Sequence, residues 1–226
     1  MKLFTPSENQ KKWFFRHWYQ LVRTLCLVLL AIICGVRATG RKRVPETGSC
    51  LLMANHASYY DVILLGIAQP RKVDFMARSG LFISILGLMI RSMGAFAIQR
   101  EGGGASGIKE TFKRLKQGAM VGLFPEGTRT TDGRMNPLKP GISNIARKSG
   151  CQVLCVGIAG SFEAWPRSQP WPGSHQFHLH YSELLRPADL AEMTEEQAMA
   201  CLDARLQSAR LVSEAALKRL RHYSMF

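Results

Sequence analysis

Acid is in short supply in this chain. Its 226 residues hold 16 Asp+Glu against 30 Lys+Arg, a net charge of +14 at neutral pH. Such an excess implies an anionic partner: nucleic acid, an anionic membrane surface or a phosphorylated substrate. No Gly-x-Ser-x-Gly elbow occurs, which removes the hydrolase type of serine nucleophile. No Gly-Lys-Ser/Thr follows a glycine-rich loop, so there is no P-loop. Cysteine lacks the spacing of a disulfide framework. Cys26, Cys34, Cys50, Cys151, Cys155 and Cys201 read as reduced thiols of a cytosol-facing protein. Cys151 and Cys155 have no second Cys/His pair nearby, so zinc is not expected. Also missing is an uninterrupted apolar run of the ~20 residues a spanning helix wants. The longest near the N-terminus, Leu25 to Val36, stops at Arg37.

What is present suffices for one substantial globular domain, with 46 % hydrophobic and 20 % charged residues. Residues 1–43 stand apart. Trp13, Phe14, Phe15, Trp18 and Tyr19 mix with Lys11, Lys12 and Arg16, the apolar run follows, and Arg37, Arg41, Lys42 and Arg43 close it. Aromatics beside bases suit the headgroup layer of a bilayer, and Arg16 and Arg23 can snorkel. The segment is expected to be a membrane-anchoring helix or helical hairpin dipping into one leaflet from the cytoplasmic side. The alternatives are a single span and a buried core helix. No small-residue cleavage site marks a signal peptide.

Residues 44–226 alternate short apolar runs with helical patterns. Strands are predicted at Cys50–Ala54, Lys72–Met76, Ala95–Gln99, Ala119–Phe124, Gln152–Ile158 and Gln176–Tyr181. Helices are predicted at Tyr60–Ala68, Leu81–Met93, Ser106–Gln117, Ile142–Ser149 and Glu195–His222. The alternation implies an α/β domain with a mainly parallel sheet flanked by helices. Leu81–Met93 is apolar nearly all round, which suits a buried helix or the wall of an acyl-chain groove. Residues 160–174 are rich in Trp and Pro and form an ordered loop or lid. His178 and His180 alternate with Phe177, Leu179 and Tyr181, and share one polar face of a strand rather than a metal.

Two stretches carry chemistry. In Asn55-His56-Ala57-Ser58-Tyr59-Tyr60-Asp61, histidine precedes aspartate by five positions. A five-residue step turns about 500° on a helix, and an odd step changes face on a strand, so the pair meets only where the chain turns. A strand-to-helix junction supplies that turn. Aspartate on Nδ1 would fix the tautomer and leave Nε2 to take a proton; a chance pair in a turn is the alternative. The second stretch is Phe124-Pro125-Glu126-Gly127-Thr128-Arg129, at the end of an apolar strand. Gly127 permits close backbone approach, Arg129 offers a planar fork for phosphate, and Glu126 orients a hydroxyl or that arginine. An ordinary turn with a surface ion pair is the competing reading. Arg100 at a strand end and Lys139 before Pro140-Gly141 are further candidates for an anion.

The series His56…Asp61, Phe96…Arg100, Phe124–Arg129 and Val153–Ile158 resembles the glycerolipid acyltransferase family, in its bacterial 1-acyl-glycerol-3-phosphate branch, over residues 45 to 160. The resemblance implies that His56 is the general base and that Asp61 orients it. It implies that Arg100, Glu126, Gly127, Thr128 and Arg129 hold the substrate phosphate, with Lys139 assisting. It further implies direct acyl transfer to the 2-hydroxyl of lysophosphatidic acid, without metal or cofactor. Acyl-CoA or acyl-carrier protein would be co-substrate, at the cytoplasmic face of the inner membrane. One departure is Cys155-Val156-Gly157, where the family's fourth block usually carries a proline. Alternative acceptors are glycerol 3-phosphate, another lysophospholipid or a lyso-aminolipid. A nucleic-acid-binding protein remains the reading from another class, supported by charge alone.

Overall fold

The structure, a computed structural model, describes residues 8–78, 96–98 and 105–223. The expected helix Leu81–Met93 and the candidate Arg100 lie outside the described residues.

Seven strands form one sheet. They are β1 (Val36–Thr39), β2 (Cys50–Ala54), β3 (Val73–Arg78), β4 (Phe96–Ile98), β5 (Met120–Leu123), β6 (Gln152–Ala159) and β7 (Phe177–Tyr181). Their order is β1-β7-β6-β2-β5-β3-β4, with every neighbouring pair parallel except β6–β7. The most apolar strands take the centre. Every residue of Cys50–Ala54 is buried, as a strand covered on both faces requires.

The two-residue period divides the core into two layers. Leu52 and Ala54 pack with Leu64, Phe75, Phe177 and Tyr181 under α2 (Tyr60–Ile67). Leu51 and Met53 pack with Val121, Val153, Leu202 and Leu206 under the other helices. Those include α3 (Ala105–Lys116), α4 (Ile142–Lys148) and α7 (Glu195–Tyr223). Two short helices, α5 (Ser161–Ala164) and α6 (Pro187–Ala191), were not expected from the sequence. Four- and five-residue helices carry too little periodicity to be read.

The N-terminal segment is one continuous 26-residue helix, α1 (Glu8–Ile33), rather than a hairpin. Tyr19 anchors it by donating from its hydroxyl to the Gly66 carbonyl at 3.3 Å. Its other side leaves Leu21, Leu25, Val28, Leu29 and Ile32 exposed. Among the described residues no helix is long and apolar enough to cross a membrane. The sheet reaches back across residue 43. Val36–Thr39 pairs with Phe177–His180 as the sheet's edge strand, so the α/β unit already begins within the supposed anchor. Arg37, read in sequence as closing the apolar run, is with Thr39 an exposed side chain of this edge strand.

Candidate active site

The site forms at the carboxyl ends of β2, β5 and β6, where an open parallel sheet leaves a crevice. The chain leaves β2 at Asn55 without losing its grip on the sheet. The Asn55 side chain accepts from the Ile158 amide at 2.8 Å and donates to the Ile158 carbonyl at 3.0 Å. An amide side chain thus continues the β2–β6 ladder beyond its last backbone pair, Ala54 with Val156. His56 is thereby fixed one step past the sheet.

The next five residues turn and enter α2, bringing Asp61 back beneath the imidazole. Asp61 is fully buried in the first turn of that helix. Its Oδ2 lies 3.0 Å from His56 Nδ1 and accepts the Ala57 and Ser58 amides at 2.6 and 2.7 Å. Three convergent donors hold the carboxylate in one place. With Nδ1 carrying the proton toward Asp61, Nε2 bears the lone pair, and the imidazole is 17 % exposed. Ser58 finishes the turn: its hydroxyl accepts the Tyr60 amide and donates to the Trp165 carbonyl.

The third block frames the same histidine from the other side. Phe124 stacks on the imidazole, with centroids 4.0 Å apart and planes 18° from parallel. Glu126 is buried, and both its oxygens are occupied. Oε1 accepts the His56 amide at 2.6 Å and Oε2 accepts the Asn136 amide at 2.7 Å. Thr130 donates its amide to the His56 carbonyl at 2.9 Å. The peptide units on both sides of His56 are therefore clamped by residues about seventy positions away. Burial pushes the Glu126 carboxyl above its ordinary range, while the two amides and His56 pull it back.

Glu126 was expected beside the substrate phosphate. Here its carboxylate binds two backbone amides and ties the first block to the loop around Asn136. Gly127 has φ +70°, and a Cβ there would come within 3.2 Å of the Lys139 side chain, whose stem packs over the turn. Lys139 is brought to the block by its amide, which donates to the Pro125 carbonyl at 2.8 Å. Thr128 is exposed on the same turn.

Arg129 lies over the Tyr59 ring, 3.5 Å from its centroid. That contact holds the guanidinium against the first block, yet its Nη1 is buried with no hydrogen-bond partner. A buried, unpaired cationic donor is costly, and an incoming oxyanion would satisfy it. The structure brings together His56, Asp61, Glu126, Gly127, Thr128, Arg129 and Lys139; Arg100 is outside the described residues.

Several contributors escaped the sequence reading. Asn55 and Tyr59 sit inside a noticed motif, but their partners, Ile158 and Arg129, are remote. Thr130 and Asn136 act through backbone amides, which leave no residue-type signal. His178 and His180 share one strand face as expected. His178 Nδ1 lies 3.0 Å from Ser213 Oγ, and His180 Nδ1 lies 2.8 Å from Thr39 Oγ1.

Comparison with known proteins bears on this arrangement. A family model described as Acyltransferase matches residues 35–159, more than half of the chain. A 1-acyl-sn-glycerol-3-phosphate acyltransferase of Bacillus subtilis is 29 % identical over 191 residues, covering 81 % of this chain and 90 % of that protein. A lyso-ornithine lipid O-acyltransferase of Rhizobium meliloti is 30 % identical over 139 residues, covering 60 % of this chain and 44 % of that protein. The crystal structure of the 1-acyl-sn-glycerophosphate acyltransferase PlsC of Thermotoga maritima matches with a TM-score of 0.76 at 21 % identity, over 93 % of this chain and 83 % of that one. At that identity the likeness establishes the α/β fold.

Proposed function

The chain belongs to the Acyltransferase family, and from that premise we propose that it acylates the 2-hydroxyl of 1-acyl-glycerol 3-phosphate to give phosphatidic acid. The enzyme is an O-acyltransferase. The observation that carries the acceptor is Arg129, whose buried guanidinium nitrogen has no partner beside a histidine prepared as a base.

His56 Nε2 takes the proton of the acceptor hydroxyl as that oxygen attacks the thioester carbonyl carbon. Asp61 stabilises the imidazolium that forms. The tetrahedral intermediate collapses, the carbon–sulfur bond breaks, and His56 returns the proton to the departing thiolate. The products are an ester and a free thiol. No acyl-enzyme and no cofactor is needed, with acyl-CoA or acyl-carrier protein as donor. Arg129, with Lys139 and Arg100, binds the acceptor phosphate; Gly127 and Thr128 keep the turn open to it. Glu126 serves the site by holding His56.

The protein works at the cytoplasmic face of the cell membrane, with α1 lying in one leaflet. Support comes from the exposed row Leu21, Leu25, Val28, Leu29 and Ile32, and from Trp171 at 77 % exposure in the loop after α5. Isolated surface apolar residues are ordinary, but a continuous row along a helix suits a lipid surface.

One set of assays tests both parts. Purified protein is given labelled acyl-CoA and, in turn, lysophosphatidate, a choline-bearing lysophospholipid, glycerol 3-phosphate and a lyso-ornithine lipid. Lysophosphatidate should lead in kcat/KM by about tenfold or more, the worth of a hydrogen-bonded charge. Equal or faster transfer to the lyso-ornithine lipid would overturn the acceptor assignment. Leu25→Ser with Ile32→Ser should lower co-sedimentation with anionic vesicles, and unchanged pelleting would remove α1 as the anchor.

A further inference from the structure

Three segments distant in the chain meet at one corner of the molecule. β7 runs antiparallel to β6 and β1 runs parallel to β7, so both strands start at the end of the sheet where β6 finishes. That is the carboxyl end, on which the His56 loop stands. The last turn of α1 and the loop between α5 and β7 therefore arrive beside the candidate site. The Ser174 hydroxyl donates to the Ile33 carbonyl at 2.6 Å and joins the two. Ile32 and Trp171, each 77 % exposed, and Ile33 give this corner an apolar tip. Arg167 is exposed on the same loop, and Arg221 bonds to His175 just beyond it; Glu163 of α5 is the opposing acid.

The loop is stiff. Pro166, Pro170 and Pro172 fix its backbone. The Gly173 amide donates to the Ala164 carbonyl at 2.7 Å and closes the loop at its neck. Inside, Trp165 Nε1 donates to the Gln169 carbonyl at 3.1 Å, and Gln169 Nε2 donates to the Trp171 carbonyl at 2.6 Å. Trp165 and Trp171 thus belong to one piece, a compact loop packed by its own side chains.

The base of this piece rests on the catalytic loop. The Trp165 carbonyl accepts the Ser58 hydroxyl at 2.8 Å, and the Tyr60 hydroxyl donates to the Gly173 carbonyl at 3.3 Å. The Trp165 ring lies 4.8 Å from that of Tyr59, centroid to centroid, with the planes at 47°. Tyr59 is half-exposed, and it is the ring over which Arg129 lies. A half-exposed side chain keeps one rotamer only through what packs on it. Trp165 therefore decides where Tyr59 stands, and with it the guanidinium of Arg129.

We propose that loop 165–174 couples lipid contact to acceptor binding: Trp171, with Ile32 and Ile33, enters an anionic bilayer, and Trp165, as a positioning residue, then holds Tyr59 and Arg129 for the acceptor phosphate. The proposal rests on the acyl-transfer reading above and gives it a dependence on the lipid surface. A surface shifts an equilibrium only by its different affinity for two arrangements. Here the loop latched on Tyr59 is the arrangement that presents Trp171 beside Ile32, so a bilayer that takes up both favours it. An unlatched loop carries Trp171 away from α1, because Ser174 leaves Ile33 with it. Tryptophan suits the boundary between acyl chains and headgroups, and Arg167 and Arg221 suit anionic ones.

The test uses the full chain, with thermal melting as the check on the folding of each variant. The probe is the butanoyl ester of 3-hydroxypropyl phosphate, a soluble acceptor analogue with no hydroxyl to acylate. Calorimetry measures its Kd with and without vesicles of phosphatidylcholine doped with phosphatidylglycerol. Vesicles should tighten binding to the wild type about fivefold, the worth of a cation–π contact at a partly exposed ring. That gain should vanish in Trp171→Ala. Trp165→Leu should weaken binding about fivefold even on vesicles, and Trp165→Phe should restore most of it. In turnover of vesicle-borne lysophosphatidate the Trp165→Leu loss should fall on KM rather than kcat, and the KM for a monoacylglycerol, which has no phosphate, should rise far less. Quenching of tryptophan fluorescence by brominated acyl chains should be weaker in Trp171→Ala than in the wild type. Equal quenching in both would overturn the lipid contact, and a wild-type Kd indifferent to vesicles would overturn the coupling. An equal rise in KM for monoacylglycerol would overturn the positioning role of Trp165. A wild type whose probe binding tightens on vesicles but which acylates no lysolipid would sink the acyl-transfer reading alone.

Discussion

The proposed base and the proposed anion site are finished to different degrees. Around His56 the ring and both peptide groups are held: Asp61 Oδ2 holds Nδ1, Glu126 holds the amide, Thr130 donates to the carbonyl and Phe124 covers one ring face, with only the other Asp61 oxygen left unpaired. Around Arg129 the hydrogen bonds are open: one tyrosine face supports the guanidinium, and a buried nitrogen points at nothing. The contrast separates two tasks. A base must be in place before the substrate arrives, because misorientation is paid for in rate. An anion site gains by leaving its strongest donor unspent until the anion comes.

The largest break in that contrast is His56→Ala. Loss of a positioned general base should lower kcat by ~10² to 10⁴-fold while the fold survives. Near-normal turnover in a folded variant would leave the closed half without a purpose. Next is Arg129→Ala, which should lower kcat/KM for lysophosphatidate about 10- to 100-fold, the range for one hydrogen bond to a charged group. The loss should be far smaller with a phosphate-free acceptor, and an equal loss with both would mean that the arginine merely supports Tyr59.

The smallest effect concerns Glu126 and is one of stability. Glu126→Gln sets an amide NH2 against one of the two backbone donors and should cost about 1–3 kcal/mol. Its pH dependence has a definite sign. Burial raises the folded carboxyl above its ordinary 4.5. Its stabilising contribution is then fully present below the unfolded value and is lost as pH rises through the folded one. Urea midpoints for wild type should therefore carry a downward component as pH rises above 4.5, and that component should vanish in Glu126→Gln. An identical slope in the variant would place its origin elsewhere.

The same division marks what the sequence discloses. His56 and Asp61 were legible because five residues of local chain decide whether they meet. The central strands were legible because burial on both faces leaves unbroken apolar runs such as Cys50–Ala54. Val36–Thr39 was not, since its partner strand lies some 140 residues away and an edge strand keeps polar side chains outside. Glu126 was noticed as a member of its motif and expected beside the substrate phosphate, but its backbone contacts were not foreseen. Those contacts are the amides of His56 and Asn136, and an amide looks the same in every residue. The Lys139 approach to Gly127 likewise depends on a loop closing on itself, which spacing alone does not foretell.

Only Cys34 and Gly35 separate the end of α1 from the first residue of β1. A keel bolted to the hull with no hinge lets neither turn alone. If α1 beds into a leaflet, the whole sheet takes its tilt from that berth, and the mouth of the site stands at one height above the lipid. Substrates would then be sorted by depth as well as by charge, with the hydroxyl two carbons below a surface phosphate meeting His56 where a deeper or shallower one passes it by.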